Sequence, residues 1–275
     1  MVAIKLRSIR TADGGSLRVY SFGTGPGAVL AAGSLTRTAA YGRFASSLSA
    51  TIPVHLYDRR GRGGSGPQPA GYSMETELED LEAVLEATGS SVVLGHSFGG
   101  GIALEAALRL PVSRVAVYDP AVNIDGCLPT RTLPALAAAA DRGDHVGAVM
   151  VFSREMDPLL ARVPLPDAAA RALVWAAAHL TKDGHAWEEL VPSLAHELAL
   201  LDSRRAVAEY AGIAVPLLLL AGAHSPAYFR SIAAGLAASL PGSTSMVVPH
   251  AGHGALHHPS AAILSAFQGF LGRSA

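Results

Sequence analysis

The first 120 residues alternate between short apolar runs and amphipathic stretches. Near the N-terminus, the runs Ile4–Ile9 and Leu17–Phe22 flank the turn residues Asp13-Gly14-Gly15 and predict a β-hairpin. Ala28–Ala32 is almost wholly apolar, as expected for a strand buried on both faces of a sheet, and further short strands are predicted at Val54–Tyr57, Val92–Leu94 and Val115–Tyr118. Stretches with helical spacing separate them, at Tyr41–Ala50, Met74–Thr88 and Gly99–Arg109. This alternation predicts an α/β architecture with a mostly parallel central sheet and helices on both faces.

The alternation stops between residues 120 and 212. That segment is rich in alanine and leucine, has helical periodicity and is interrupted by prolines. The strand and helix pattern then returns, at Val215–Ala221, Tyr228–Leu240, Ser245–Val248 and Ser260–Leu271. The simplest interpretation is one core domain, formed by residues 1–119 and 213–275, with a helical insertion at 120–212.

Composition and charge exclude several classes of protein. A chain of 275 residues is short enough to fold around a single hydrophobic core. Its one cysteine, Cys127, excludes an internal disulfide. With 21 basic and 22 acidic residues and no basic block, the chain lacks an electrostatic footprint for nucleic acid. Its longest apolar stretch, around Val215–Ala223, is about half of the ~18–20 residues that a membrane-spanning helix needs. The N-terminus has no apolar core of a signal peptide, so we expect a cytoplasmic protein whose partner is a small-molecule substrate.

The motif Gly95-His96-Ser97-Phe98-Gly99 lies between an apolar run and a helix. A serine at such a strand-to-helix turn is exposed at the carboxyl end of the sheet, provided that small residues stand two positions before and after it. The turn also directs the backbone N–H of Phe98 and the helix N-terminus at a developing oxyanion. In a chain with 29 glycines this motif is common by chance. Its position between a predicted strand and a predicted helix is the context that the motif requires, and this argues against a chance match. The context therefore predicts a nucleophilic Ser97.

With this motif, the chain resembles an α/β-hydrolase of the esterase, lactonase and haloperoxidase-like type over nearly its whole length. Ala31-Ala32-Gly33-Ser34 is similar to the oxyanion loop of that family, with alanine where histidine is usual. The segment 58–65 resembles the family's Asp-x-x-Gly-x-Gly-x-Ser turn. Ala251-Gly252-His253-Gly254 lies where the family carries its catalytic histidine. The resemblance implies an α/β-hydrolase fold in which residues 120–212 form a cap, inserted after the sixth strand.

His253 is the candidate base, because a serine hydroxyl is a poor nucleophile until its proton is removed. It is the one histidine in a Gly-His-Gly loop that follows a predicted strand. The alternatives are a hydrogen-bonded loop histidine or a metal site built from His250, His253, His257 and His258. No carboxylate or cysteine accompanies that cluster, so we expect no metal.

The acid of the triad is where this sequence departs from the family it resembles. The turn Gly222-Ala223-His224-Ser225 carries a serine where the family usually has a carboxylate, and a serine cannot balance a positive imidazolium. Asp119, directly after Val115–Tyr118, is the best replacement, since haloalkane dehalogenases and certain lipases of the family carry the acid after this strand. The alternative is a non-catalytic aspartate in a Tyr-Asp-Pro turn. Asp125 and Asp202 are weaker candidates.

One glycine-rich segment could be mistaken for a cofactor site. Residues 61–66 satisfy G-x-G-x-x-G, but Pro67, Pro69 and Gly71 follow, so no helix begins where a pyrophosphate would need one. The chain also contains no G-x-x-x-x-G-K-[ST] motif of a P-loop. We therefore expect no cofactor.

The leading hypothesis is a serine hydrolase with Ser97 as nucleophile, His253 as base and Asp119 as the acid that orients it. The N–H groups of Phe98 and Ser34 would bind the oxyanion. Apolar residues of the cap favour a small, largely apolar ester, thioester or lactone. They are Leu133, Leu136, Val149, Met150, Phe152, Met156, Leu159, Leu160, Val174 and Trp175. Further candidates for the pocket wall are Leu35, His96, His224 and Ser225.

Two other functions remain open at this point. The fold also supports lyases, cyclases, C–C bond hydrolases and cofactor-free oxygenases, in which His253 would act as a general base without an acyl-enzyme. A non-enzymatic protein that binds a small ligand is the third hypothesis. The presence of both Ser97 and His253 counts against it.

Overall fold

One sheet of eight strands runs through the chain, in a computed structural model that describes residues 4–156, 166–180 and 186–272. Its strand order is β1-β2-β4-β3-β5-β6-β7-β8. The strands are β1 Ile4–Arg10, β2 Ser16–Phe22, β3 Ala28–Ala31, β4 Val54–Tyr57, β5 Val92–His96, β6 Arg114–Tyr118, β7 Leu217–Gly222 and β8 Ser243–Val248. β2 is antiparallel to both of its neighbours, and every pair from β4 to β8 is parallel. The predicted, mostly parallel sheet is confirmed.

Helices cover both faces of this sheet. In the described residues they are α1 Gly42–Leu48, α2 Met74–Thr88, α3 Phe98–Arg109, α4 Leu133–Asp141, α5 His145–Met156, α6 Asp167–Leu180, α7 Trp187–Leu201, α8 Ala227–Ser239 and α9 Ala261–Leu271. Apolar side chains of α2, α3 and α8 pack on one face, and those of α1 and α9 pack on the other. None of these helices is both long and apolar enough to cross a bilayer.

Two strands begin two residues away from their predicted starts. β7 begins at Leu217 rather than Val215, because Pro216 has no N–H to donate to a neighbouring strand. β8 begins at Ser243 rather than Ser245. It is the edge strand and most of it is exposed, so its first residues are polar and give no apolar signal.

The helices α4 to α7 lie between β6 and β7, where the sequence predicts an insertion; we call them the inserted helices. They share an apolar cluster that is separate from the two clusters on the sheet, formed by Leu136, Ala139, Ala148, Val149, Val191, Leu194 and Leu198. Ile124 and Arg205 form an isolated parallel bridge that joins the two ends of the segment. The division into two domains stays a prediction.

The packing of α3 against β3 predicts a strong effect of one methyl group. A Cβ on Gly99 would lie 2.1 Å from the carbonyl oxygen and 2.4 Å from the carbonyl carbon of Ala31, and these backbone atoms belong to a buried strand. We expect Gly99→Ala to lower the free energy of unfolding by about 3 kcal/mol or more, as measured by urea denaturation. In the matched control Gly235→Ala, in α8, the new Cβ meets nothing within 4 Å, so stability should rise by about 0.5–1 kcal/mol. Equal effects of the two substitutions would contradict this account.

Candidate active site

Ser97 occupies a strained turn between β5 and α3. Its φ of 54° and ψ of −123° lie outside the regions that serine ordinarily adopts. Two backbone hydrogen bonds stabilise this conformation: its N–H donates to the Tyr118 carbonyl at 3.1 Å, and its carbonyl accepts from Ala121 N–H at 2.8 Å. The turn places Ser97 in the wall of a cavity at the carboxyl end of the sheet.

Asp119 lies directly after β6 and contacts the loop that follows β8. Its Oδ2 is 3.0 Å from Nδ1 of His253, and its side chain has no exposed surface. The backbone N–H of Gly222 donates to Oδ1 at 3.0 Å. The hydroxyl of Ser225 donates to Oδ2 at 2.5 Å. The structure therefore brings Asp119 and His253 together, and it places Ser225, at the position of the family's usual acid, as a donor to the carboxylate.

The two weaker acid candidates lie elsewhere. Asp125 and Asp202 are both exposed to solvent. Neither forms a hydrogen bond to His253 among the described residues. Of the three candidate carboxylates, Asp119 is thus the one that contacts this histidine.

Further contacts hold the ring of His253 and the backbone beside it. It stacks on the Phe229 ring with the centroids 4.5 Å apart and the planes at 9°. The carbonyl of His253 is 2.8 Å from Nε2 of His96, and the hydroxyl of Tyr118 donates to the carbonyl of Gly252 at 2.8 Å. Because Nδ1 is directed at Asp119, Nε2 is the ring nitrogen left to accept a proton from a nucleophile.

His96 is buried beneath the site, and its partners define its tautomer. A carbonyl only accepts hydrogen bonds, so Nε2 carries the proton that it donates to His253. Nδ1 therefore accepts from the hydroxyl of Tyr41 at 2.7 Å, and that hydroxyl accepts from Gly33 N–H at 3.0 Å. Burial, followed by the neighbouring imidazoles, holds the pKa of His96 well below its usual range. A neutral His96 thus connects the loop of Gly33 to the loop of His253.

Two backbone N–H groups are available where an oxyanion would form. Ser34 and Phe98 line the same cavity as Ser97. Among the described residues, neither N–H has a hydrogen-bond acceptor. The backbone comes close to the serine here, since a Cβ on Gly33 would lie 3.1 Å from Cβ of Ser97. Paired donors of this kind can stabilise the negative oxygen of a tetrahedral intermediate.

The cavity beside Ser97 is small and its wall is mostly apolar, with a volume of about 50 Å³. The sheet side is formed by Ser34, Phe98 and residues of α8. The inserted helices and the turn before them supply the other side, with Leu128, Leu133, Leu136, Phe152, Leu198 and Leu201. Three of the apolar residues predicted for this wall are therefore in place: Leu133, Leu136 and Phe152.

Other residues predicted for the wall lie elsewhere. Val149 belongs to the apolar cluster of the inserted helices. Trp175 has 53% of its surface exposed, because it lies on the outer side of α6. Met150 and Val174 are absent from the wall. Leu159, Leu160 and the side chain of Met156 lie outside the described residues.

Four further pocket candidates are corrected by the structure. Leu35 packs against the cluster of the inserted helices and lines a second cavity. His96 is buried and turned towards Tyr41 and the His253 carbonyl. His224 is exposed, and Ser225 is buried against Asp119. None of the four lines the cavity beside Ser97.

The neighbouring histidines point to different partners. The His257 ring is 5.1 Å from that of Tyr41, His258 Nδ1 is 2.9 Å from a guanidinium nitrogen of Arg43, and the His250 ring is 5.8 Å from that of His224. In the part of the chain that the structure describes, no three His, Cys, Asp or Glu side chains are grouped as metal ligands.

Sequence reasoning did not identify Tyr41, Tyr118 or Phe229 as supports of the site. Their only sequence signal is an apolar aromatic side chain at a strand end or helix start, which equally predicts core packing. Tyr41 contacts His96, Phe229 stacks on His253, and Tyr118 donates to the Gly252 carbonyl beside His253. These partners are distant along the chain, so the fold is needed to identify the three roles.

Comparisons with known proteins identify the family of this chain. A family model described as "Alpha/beta hydrolase family" matches residues 26–266. Lipase LipV of Mycobacterium tuberculosis is 33% identical over 140 residues, which are 48% of this chain and 52% of the lipase, so the match spans about half of that protein.

Solved structures extend the likeness over the whole chain. An α/β hydrolase from Sphaerobacter thermophilus is 29% identical with a TM-score of 0.78, covering 96% of this chain and 99% of that one. The enol-lactonase from Burkholderia xenovorans, 22% identical with a TM-score of 0.72, covers 97% of this chain and 100% of its own, and is similar in fold. This chain is an enzyme that belongs to the α/β hydrolase family.

Proposed function

We propose that this enzyme is a cofactor-free serine hydrolase that forms an acyl-enzyme on Ser97. The observation that carries the proposal is the hydrogen-bonded pair of Asp119 and His253, whose atoms Oδ2 and Nδ1 are 3.0 Å apart. The pair supports Asp119 as the acid in place of the carboxylate that is missing at position 225. With Ser97 and the N–H groups of Ser34 and Phe98 in one cavity, it favours acyl transfer over the general-base chemistries of this fold.

Each step of the reaction has a group to perform it. Nε2 of His253 takes the proton of Ser97 as Oγ attacks the substrate carbonyl, and Asp119 stabilises the imidazolium that forms. The N–H groups of Ser34 and Phe98 bind the oxyanion. His253 then returns the proton to the leaving group. In the second half it takes a proton from water as the water oxygen attacks the acyl carbon. It returns that proton to Oγ of Ser97 as the bond between Oγ and the acyl group breaks and the acid is released.

The cavity supports a small, largely apolar acyl group. A group the size of a water molecule needs about 10–15 Å³ of cavity volume. A cavity of about 50 Å³ therefore holds roughly three to five such groups. Esters, thioesters or lactones with a short acyl chain fit this room. The inserted helices act as a cap over the cavity, since they supply Leu133, Leu136 and Phe152 to its wall.

Acyl-chain length tests both parts of the proposal. With 4-nitrophenyl esters, we expect one nitrophenolate per chain in the burst, an acyl adduct by intact mass, and kcat/KM about 10-fold lower for octanoate than for butyrate. Ser97→Ala should give neither burst nor adduct. Ester hydrolysis that depends on His253, leaves no adduct and persists in Ser97→Ala would replace the acyl-enzyme by direct attack of water with His253 as general base. A folded wild type that neither turns over esters nor reacts with a fluorophosphonate would contradict the proposal.

A further inference from the structure

Four charged side chains are buried together beside the candidate oxyanion loop. Arg59 contacts Glu77 at 2.5 Å and Glu197 at 2.9 Å, and Arg62 also pairs with Glu197. The side chains of Arg59, Arg62 and Glu197 have no exposed surface, and that of Glu77 has 2%. Two positive and two negative groups thus balance each other in a dry site, where burying them carries a large desolvation cost.

Both guanidinium groups contact the backbone of the oxyanion loop. A terminal nitrogen of Arg62 donates to the Gly33 carbonyl at 3.0 Å and to the Thr36 carbonyl at 3.3 Å. A nitrogen of Arg59 donates to the same Gly33 carbonyl at 3.4 Å. The Arg59 guanidinium also lies 4.8 Å from the centre of the Phe98 ring. Two guanidinium groups therefore donate hydrogen bonds to the Gly33 carbonyl of this loop.

The carbonyl of Gly33 and the N–H of Ser34 belong to one peptide group. This peptide is trans, so its oxygen and its hydrogen point in opposite directions. Fixing the oxygen on the arginines directs the N–H of Ser34 away from them. A positive charge at the oxygen also polarises the peptide and makes its N–H a stronger donor.

Glu197 connects this arrangement to the inserted helices. It lies on α7, as does Ser193, whose hydroxyl is 3.4 Å from Nη2 of Arg62, the nitrogen that pairs with Glu197. The position of α7 therefore bears on the orientation of the Gly33–Ser34 peptide.

Resting on the proposed function, we propose that Arg62, assisted by Arg59 and held by Glu197, is a positioning residue that aims the Ser34 N–H at the oxyanion. It acts through the peptide and touches no substrate atom. The inserted helix α7 thereby contributes to catalysis as well as to the cavity wall.

The charge-balanced variant Arg62→Gln/Glu197→Gln tests this role with a pair of substrates. Sulfur accepts hydrogen bonds poorly, so the ratio of kcat/KM for an ester to that for its thionoester reports the strength of oxyanion binding. We expect this ratio to fall about 10-fold, through kcat, with KM for the ester changed less than twofold. The rates are calculated per active site, and the active sites are counted by titration with a fluorophosphonate. Unfolded protein therefore does not change the ratio. Arg62→Lys keeps the positive charge but loses the planar guanidinium that bonds Gly33 and Glu197 at once. We therefore expect a ratio between those of the wild type and the double variant.

Arg60 provides a matched control in the same loop. It is also buried and pairs with Asp80 at 2.8 Å, but it forms no hydrogen bond to Gly33 among the described residues. Arg60→Gln/Asp80→Asn should lower stability and leave the ester-to-thionoester ratio at the wild-type value. An unchanged ratio in the Arg62 variants, or an equal fall in the control, would overturn the inference alone. A wild type with no labelled serine would overturn the proposed function and this inference with it.

Discussion

Asp119→Asn is expected to slow ester hydrolysis and fluorophosphonate labelling by about 10³- to 10⁴-fold while leaving the fold intact. The hydrogen bonds of the site give the reason. Gly222 N–H donates to Oδ1 of residue 119, so an asparagine keeps its carbonyl oxygen there and turns its amide towards Ser225 and His253. The amide then donates to Nδ1 of His253, which moves the ring proton to Nε2. In that tautomer Nε2 cannot take the proton of Ser97.

The measurement is the second-order labelling rate, together with kcat/KM for a short-chain nitrophenyl ester. Asp202→Asn is the control, because that carboxylate is exposed and should leave both rates at the wild-type value. Asparagine also tolerates the left-handed backbone of residue 119, whose φ is 45°. A rate within tenfold of wild type would remove Asp119 from the reaction.

The fold could be predicted because its signals are local. β3 is buried along its whole length, and its run of four apolar residues between turns is sufficient to indicate such a strand. The elbow around Ser97 is equally local, since small residues at fixed spacing are what the turn requires. Even Asp119 was a reasonable prediction, because it directly follows the strand next to β5.

The remaining parts of the site depend on contacts between distant residues. Ser225 and Asp119 are 106 positions apart, and Arg62 and Glu197 are 135 apart. Nothing near Ser225 indicates that it donates to a relocated acid, and nothing near Arg62 indicates a carboxylate on α7. The cavity wall was predicted least well, since helical periodicity identifies the apolar side of an inserted helix but not which cavity it faces. Trp175 and Val149 are two such errors.

Ser225 also provides a test of whether the acid can return to the position at which the family usually carries it. In Asp119→Asn/Ser225→Asp, the new carboxylate replaces a hydroxyl that lies 2.5 Å from Oδ2 of Asp119, which itself contacts His253. We expect it to reach Nδ1 of His253, restore the productive tautomer and recover about 10- to 100-fold of the rate lost in Asp119→Asn. The rates to compare are again fluorophosphonate labelling and kcat/KM.

Ser225→Asp alone separates relocation of the acid from a mere increase in negative charge. With Asp119 still present, two carboxylates would meet at a site where the native side chain has no exposed surface, and their repulsion should lower both stability and activity. Recovery in the double variant combined with loss in this single one would mean that one carboxylate, supplied from either strand end, is what His253 requires. If the double variant stays as slow as Asp119→Asn, the backbone at 225 does not direct a carboxylate at the ring, and only the end of β6 can supply the acid in this chain.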